Sequence, residues 1–169
     1  KTKWLFINSP SNPTGQVYSK DELINLAEII KKHKNLYILS DDIYEYIRYQ
    51  NNERFYTIAE LDEEVFSRTL TMNGVSKAYS MTGWRIGYCG GPIEIINAMR
   101  KLMGQSTSNP SSISQWATVE ALNGSKDFLN LWIESFKERR DFIVNYLNHC
   151  NGISCLNPEG AFYVYPSCE

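Results

Sequence analysis

The 169 residues carry 43% hydrophobic and 13% aromatic side chains with a formal charge of -2, so a disordered chain is excluded. No basic stripe for nucleic acid is present; Lys31, Lys32 and Lys34 cluster only where a helix closes, where cations suit its dipole. No apolar run approaches the roughly 20 residues that cross a bilayer, and the four cysteines form no C-x-x-C pair, so neither membrane nor metal is expected and the thiols suit a reducing cytoplasm.

In chain order, "WLFIN" (4–8) is a short apolar run ending at the turn cluster "SPSNPTG". Ser19 and Glu22 form a capping box, and Leu23, Leu26, Ala27 and Ile30 recur at helical spacing behind it. "NLYILS" (35–40) is the next strand, which makes a right-handed βαβ unit with parallel strands. "RTLTMNGVS" (68–76) gives a strand running into a turn, and "RIGYCGG" (85–91) gives another with a glycine stop. Pro92 is placed for the first turn of a helix bearing Ile95, Ile96, Met99 and Met103.

"STSNPSS" (106–112) interrupts that helix, and a second follows with Ile113, Trp116, Ala117 and Val119 expected to face inward. Ser125 can cap a long helix over roughly 126–149. "GISCLNP" and "GAFYVYP" have the pattern of two strands in a small sheet. The change of pattern near residue 125 predicts two domains: residues 1–124 closing a larger one, and residues 125–169 beginning a smaller one. The strand-like openings of both chain ends predict an internal piece of a longer protein.

In parallel sheets, ligands bind beyond the carboxyl ends of the strands. Three strand ends here carry unlike polar groups: Asn8 and Asn12; then Ser40, Asp41, Asp42 and Tyr44; then Ser76 and Lys77, with Arg85 eight positions further on. An amide, a carboxylate, a phenol, an amine and a guanidinium suit neither a metal nor a hydrolytic triad. They suit an aromatic aldehyde phosphate, which needs a lysine for a covalent bond, a carboxylate at its ring nitrogen, donors at its phenolate oxygen and a cation at its phosphate.

The segments "NSPSNPTG", "SDDIYE" and "SKAYSMTGWRIGY", in that order, resemble the signatures of class I aminotransferases of the fold type I pyridoxal phosphate family, most closely the bacterial aspartate aminotransferase subgroup. The resemblance covers essentially the whole chain. It implies an α/β large domain with a mainly parallel sheet and flanking helices, followed by the start of an α+β small domain. It also implies pyridoxal 5'-phosphate as cofactor, amino acid and 2-oxo acid substrates, a cytoplasmic homodimer, and no nucleic acid, membrane or metal partner.

By the same resemblance Lys77 is the Schiff-base lysine and proton shuttle. Asp41 pairs with the ring nitrogen, while Asp42, where the family usually has glutamate, takes the blander role of a turn or cap residue. Tyr44, one of eleven tyrosines, donates to the phenolate oxygen. Asn12 donates to it as well, and also forms a turn at a proline that is cis in the family. Arg85 and Ser76 take the phosphate; the serine that many relatives have three positions before the lysine is Gly74 here. Asn109 either reaches a partner subunit's active site or sits in a plain interhelix turn.

The family's glycine-rich phosphate loop, ring-stacking aromatic and substrate-carboxylate arginine fall outside the chain, which alone is not expected to turn over. Transamination between aspartate and 2-oxoglutarate is the first expectation. The alternatives are prephenate or aromatic amino acid transamination, C-S lyase chemistry, and a non-catalytic sensor that binds the cofactor.

Overall fold

The computed structural model describes residues 1–49 and 54–169. They form two compact units: Lys1–Ile7, Ser19–Ile43 and Tyr56–Gly124 in the first, and Asn8–Tyr18, Tyr44–Phe55 and Ser125–Glu169 in the second.

The first unit is built on a four-stranded sheet in the order β1 (Trp4–Asn8), β2 (Tyr37–Asp41), β3 (Thr69–Gly74), β4 (Gly87–Gly90). The second and third strands run parallel, with Leu39 opposite Leu70 and Asp41 opposite Met72. The last is antiparallel to its neighbour, with Met72 opposite Cys89 and Gly74 opposite Gly87. Alternation along β2 separates two faces. Ile38 and Ser40 point into the core, whereas Leu39 and Asp41 look out of the opposite side.

Helix α1 (Lys20–Lys31) covers the core face. Its start is fixed as the sequence predicts: Ser19 Oγ accepts from the Glu22 N–H at 3.3 Å, and Glu22 Oε2 accepts from the Ser19 N–H at 2.8 Å. Leu23, Ala27 and Ile30 lie one helical turn apart and pack with Ile7, Ile38, Ile58 and Val65. Val65 belongs to the short helix α2 (Glu63–Phe66), which Asp62 caps through the Val65 N–H. Arg68 closes the loop out of α1, donating to the carbonyls of His33 and Leu36.

Two helices then follow β4: α3 (Ile93–Gly104), with Pro92 one place earlier than expected at its N-cap, and α4 (Ser112–Asn123). Here the structure corrects the sequence reading. Ile113 and Trp116 are 72% and 74% exposed, and the buried face of α4 is Ser114 and Thr118. Thr118 satisfies its hydroxyl on the Ser114 carbonyl, one turn back, so a small polar pair tolerates burial that hydrophobicity would have assigned to its neighbours.

In the second unit α5 (Asp127–Asn148) matches the predicted long helix. Its cap position is Lys126, although Ser125 Oγ still accepts from the Asp127 N–H at 3.1 Å. A small sheet pairs β5 (Ile153–Ser154) with β6 (Ser167–Cys168). "GAFYVYP" is therefore not a strand. Its backbone donors go elsewhere: Gly160 N–H to Gly15 O, and Ala161 N–H to Ile47 O, with Ala161 at φ 56.

Within this unit the Asn8–Tyr18 loop is held from inside and outside. Asn8 Oδ1 accepts from the Asn12 N–H at 2.7 Å, and Ser9 Oγ accepts from the Tyr18 N–H at 3.0 Å. The Ser9–Pro10 and Asn12–Pro13 peptides are both cis. Gly15 has φ +70, and a Cβ there would stand 2.5 Å from Pro158 Cβ, so only glycine fits this turn. Among the described residues no helix is long and apolar enough to cross a membrane.

Candidate cofactor site

The outward face of the sheet in the first unit opens into a cleft of about 490 Å³. Strand register sets its floor. Leu39 beside Leu70 makes one row, and Asp41 beside Met72 beside Cys89 makes the next. Met99 and Met103 of α3 close one side. Three polar groups singled out from the sequence line this largely apolar space, Asp41, Ser76 and Arg85, together with Asn73 and Tyr88.

Asp41 and its neighbour Asp42 have opposite fates because strand residues alternate. Asp42 is buried on the core side, where Ser40 Oγ donates to Oδ1 at 2.7 Å and its own N–H reaches Met72 O. Burial pushes its carboxyl above the ordinary range, against the lowering effect of the Ser40 and Thr57 hydrogen bonds. Asp41 faces the cleft and accepts from the Ile43 N–H at 3.3 Å. Burial also raises its pKa, with that N–H pulling the other way. A half-buried carboxylate on an apolar floor gains from a cationic N–H partner.

Lys77 lies in the turn directly after β3 and is half-buried; it is not itself among the cleft-lining residues, whereas its neighbour Ser76 is. The turn is organised by Thr82, which the sequence reading passed over. Thr82 Oγ1 donates to Ser76 O at 3.1 Å, and Thr82 O accepts from Arg85 Nη1 at 3.0 Å. Arg85 is in the left-handed region at φ 57, and its guanidinium returns to the carbonyl three residues earlier. One threonine thereby ties down the Ser76 main chain and the Arg85 guanidinium.

Gly74, at the end of β3, sits against the chain that enters β4. A Cβ would meet Ile86 O at 2.9 Å and Ile43 Cδ1 at 3.1 Å. A side chain at this position would force one of these neighbours to shift.

Asn12 and Tyr44 belong to the second unit. Asn12 is exposed on the Asn8–Tyr18 loop. Tyr44 is 2% exposed, and its hydroxyl lies 2.5 Å from that of Tyr163. Asn109 is exposed in the link between α3 and α4, next to Ser108 at φ 60. Tyr163 and Thr82 are the two residues of this region that the sequence reading missed; Tyr163 lies 119 residues from Tyr44, beyond any local pattern.

The residues of the cleft fit pyridoxal phosphate by their chemistry. The raised carboxyl of Asp41 suits a protonated ring nitrogen, the apolar rows suit a flat ring, and a hydroxyl with a guanidinium suits a phosphate dianion.

Comparisons with known proteins agree in kind. The family model described as aminotransferase class I and II matches residues 1–169. An aspartate/prephenate aminotransferase of Cereibacter sphaeroides is 52% identical over 166 residues, 98% of this chain and 41% of its own length. The crystal structure of the aspartate aminotransferase from Rhizobium meliloti superposes with a TM-score of 0.95 at 53% identity, over 99% of this chain and 42% of that one. An aspartate aminotransferase of Thermus thermophilus, a double mutant, gives 0.87 at 43% identity, over 96% and 42%. The chain thus spans about two fifths of the length of these relatives.

Proposed function

The chain belongs to aminotransferase class I and II, a pyridoxal-phosphate-dependent family of fold type I, and from that membership we propose that the whole protein moves an amino group between an L-amino acid and a 2-oxo acid in two half-reactions. Aspartate is the proposed donor and 2-oxoglutarate the acceptor, supported by the names of the Rhizobium meliloti and Thermus thermophilus relatives. Prephenate is a second candidate acceptor, favoured by the name of the Cereibacter sphaeroides relative.

The observation that carries the proposal is the half-buried Asp41 in one cleft with Ser76 and Arg85, the last two fixed by Thr82 on the turn that bears Lys77. When bound, pyridoxal phosphate supplies an electron sink for the charge released at the substrate α-carbon. Lys77 Nζ holds the cofactor covalently at rest. Once displaced by the incoming amine, Lys77 Nζ would carry the proton between the substrate α-carbon and C4′ of the cofactor, in one direction in each half-reaction. Asp41 keeps the ring nitrogen protonated. Arg85 and Ser76 bind the phosphate, and Asn12 and Tyr44 donate to the phenolate oxygen.

The proposal extends to a cytoplasmic homodimer in which Asn109 approaches the partner subunit's site. It divides the chain into the end of a large cofactor-binding domain, 1–124, and the start of a small domain, 125–169.

The test is spectroscopic. Full-length protein loaded with pyridoxal phosphate is expected to show a visible band that bleaches with aspartate and returns with 2-oxoglutarate. Lys77→Ala is expected to lose attachment that borohydride can fix; an adduct at wild-type yield in that variant rejects the assignment.

A further inference from the structure

Asp41 serves the cleft, but the groups that hold it there lie on the other side of the sheet. Alternation continues past the end of β2: Leu39, Asp41 and Ile43 line the cleft, while Ile38, Ser40 and Asp42 are buried on the core side, all within the first unit. The Asp42 N–H donates to Met72 O at 2.9 Å, which carries the pairing with β3 one residue beyond Asp41. Its carboxyl, 4% exposed as a residue, accepts from Ser40 Oγ at 2.7 Å and is hydrogen-bonded to the Thr57 side chain as well. The Ser40 and Thr57 hydroxyls are 3.4 Å apart, so the three side chains form one cluster.

Thr57 is itself fixed. It immediately precedes Ile58, which is buried in the core with Ile38 and Val65, and its N–H donates to Glu60 Oε1 at 3.2 Å. The Asp42 carboxyl therefore ties the end of β2 to a segment anchored in the core. Stability alone does not explain a carboxyl at this place. Burial disfavours its charge, and the charged groups that act on it, Asp41 and Glu60, are both carboxylates. What the cluster provides is a rigid frame for the residue between its members. With positions 40 and 42 held from the core side, and Asp41 Oδ1 held by the Ile43 N–H at 3.3 Å, the Asp41 carboxyl has a fixed direction into the cleft.

We propose that Asp42 is a positioning residue: through Ser40 and Thr57 it anchors the strand end from the core side, and so holds Asp41 in place for the ring nitrogen of the cofactor. The inference rests on the role of Asp41 proposed above. A defect that reaches the cofactor only through Asp41 is felt at the ring nitrogen and nowhere else on the molecule.

The experiment measures equilibrium binding of two ligands to the full-length protein freed of cofactor: pyridoxal phosphate, and its deaza analogue, in which a C–H replaces the ring nitrogen. The ratio of the two affinities reports the Asp41 contact, because the other contacts are shared. Asp41→Ala is expected to lower the preference for pyridoxal phosphate by about tenfold or more, the scale of one charge-assisted hydrogen bond. Asp42→Ala is expected to lower it roughly three- to tenfold, and Ser40→Ala, a milder change, in the same direction. In the Asp41→Ala background, Asp42→Ala is expected to leave the ratio where it is. Asp42→Asn, which still accepts from Ser40, is expected to keep the wild-type preference. A structural role alone weakens both ligands equally; an unchanged ratio in Asp42→Ala and Ser40→Ala overturns the inference, and if Asp42→Ala does not fold, Ser40→Ala decides by itself. A loss in Asp42→Asn as large as in Asp42→Ala also overturns it, since the effect then belongs to the charge of Asp42 and not to its anchoring. If instead Asp41→Ala leaves the ratio at the wild-type value, the assignment of Asp41 fails, and the inference with it.

Discussion

Two adjacent carboxylates show how one residue of register decides chemistry. Asp41 and Asp42 are chemically identical, yet strand alternation sends the first to the cleft and the second to the core. Burial raises both pKa values, which has a consequence for stability. A carboxyl that is harder to ionise when folded binds more protons in the native state than in the unfolded one. The stability linked to Asp42 is therefore fully present below its unfolded value of 3.8 and is lost as pH rises through the raised folded value. Asp42→Asn, which can still accept from Ser40, is expected to flatten this decline, as measured by urea unfolding from the carboxylate range to neutrality. A decline as steep as in wild type would show that Asp42 is not its source.

The elements that could be read from the sequence are those whose signals are local. The Ser19–Glu22 box and the spacing of Leu23, Ala27 and Ile30 fix α1, because caps and helical periodicity involve residues within a turn or two of each other. The same logic misplaced the buried face of α4, where exposed Ile113 and Trp116 outrank Ser114 and Thr118 in hydrophobicity alone. It also read a strand into "GAFYVYP", whose backbone is claimed by Gly15 and Ile47 from distant parts of the chain. The β3–β4 pair gives a test at this level. Gly74→Ser places a Cβ 2.9 Å from Ile86 O. It is expected to cost about 1–3 kcal/mol of overpacking, measured by chemical denaturation; a neutral result would mean that the two strands can part at no cost.

The second unit is assembled from three separated stretches of chain. Its residues 8–18 and 44–49 depend on the far C-terminal part: Gly15 O accepts from Glu159 and Gly160, Tyr49 N–H donates to Glu159 O, and Arg140 Nη1 donates to Pro158 O at 3.0 Å while its guanidinium lies 4.5 Å from the Tyr49 ring centre. Truncation after Gly124 removes all of these partners. Hydrogen exchange is expected to show lost protection over 8–18 and 44–49, with α1 and the β2–β3 pair still protected. Equal protection of the Asn12 loop in the truncated and complete chains would contradict this dependence.

The residues that name the family lie in three short runs, so the order of "NSPSNPTG", "SDDIYE" and "SKAYSMTGWRIGY" was enough to give the fold, the cofactor and a list of candidate residues. That Asp42 is buried on Ser40, that Gly74 has no room for a Cβ, how Thr82 ties the Ser76 main chain to Arg85, and that Tyr163 meets Tyr44 were decided only by tertiary structure. The reason is physical: capping, periodicity and turn chemistry act between residues a few places apart, whereas burial and long-range hydrogen bonds depend on which distant segments the fold brings together.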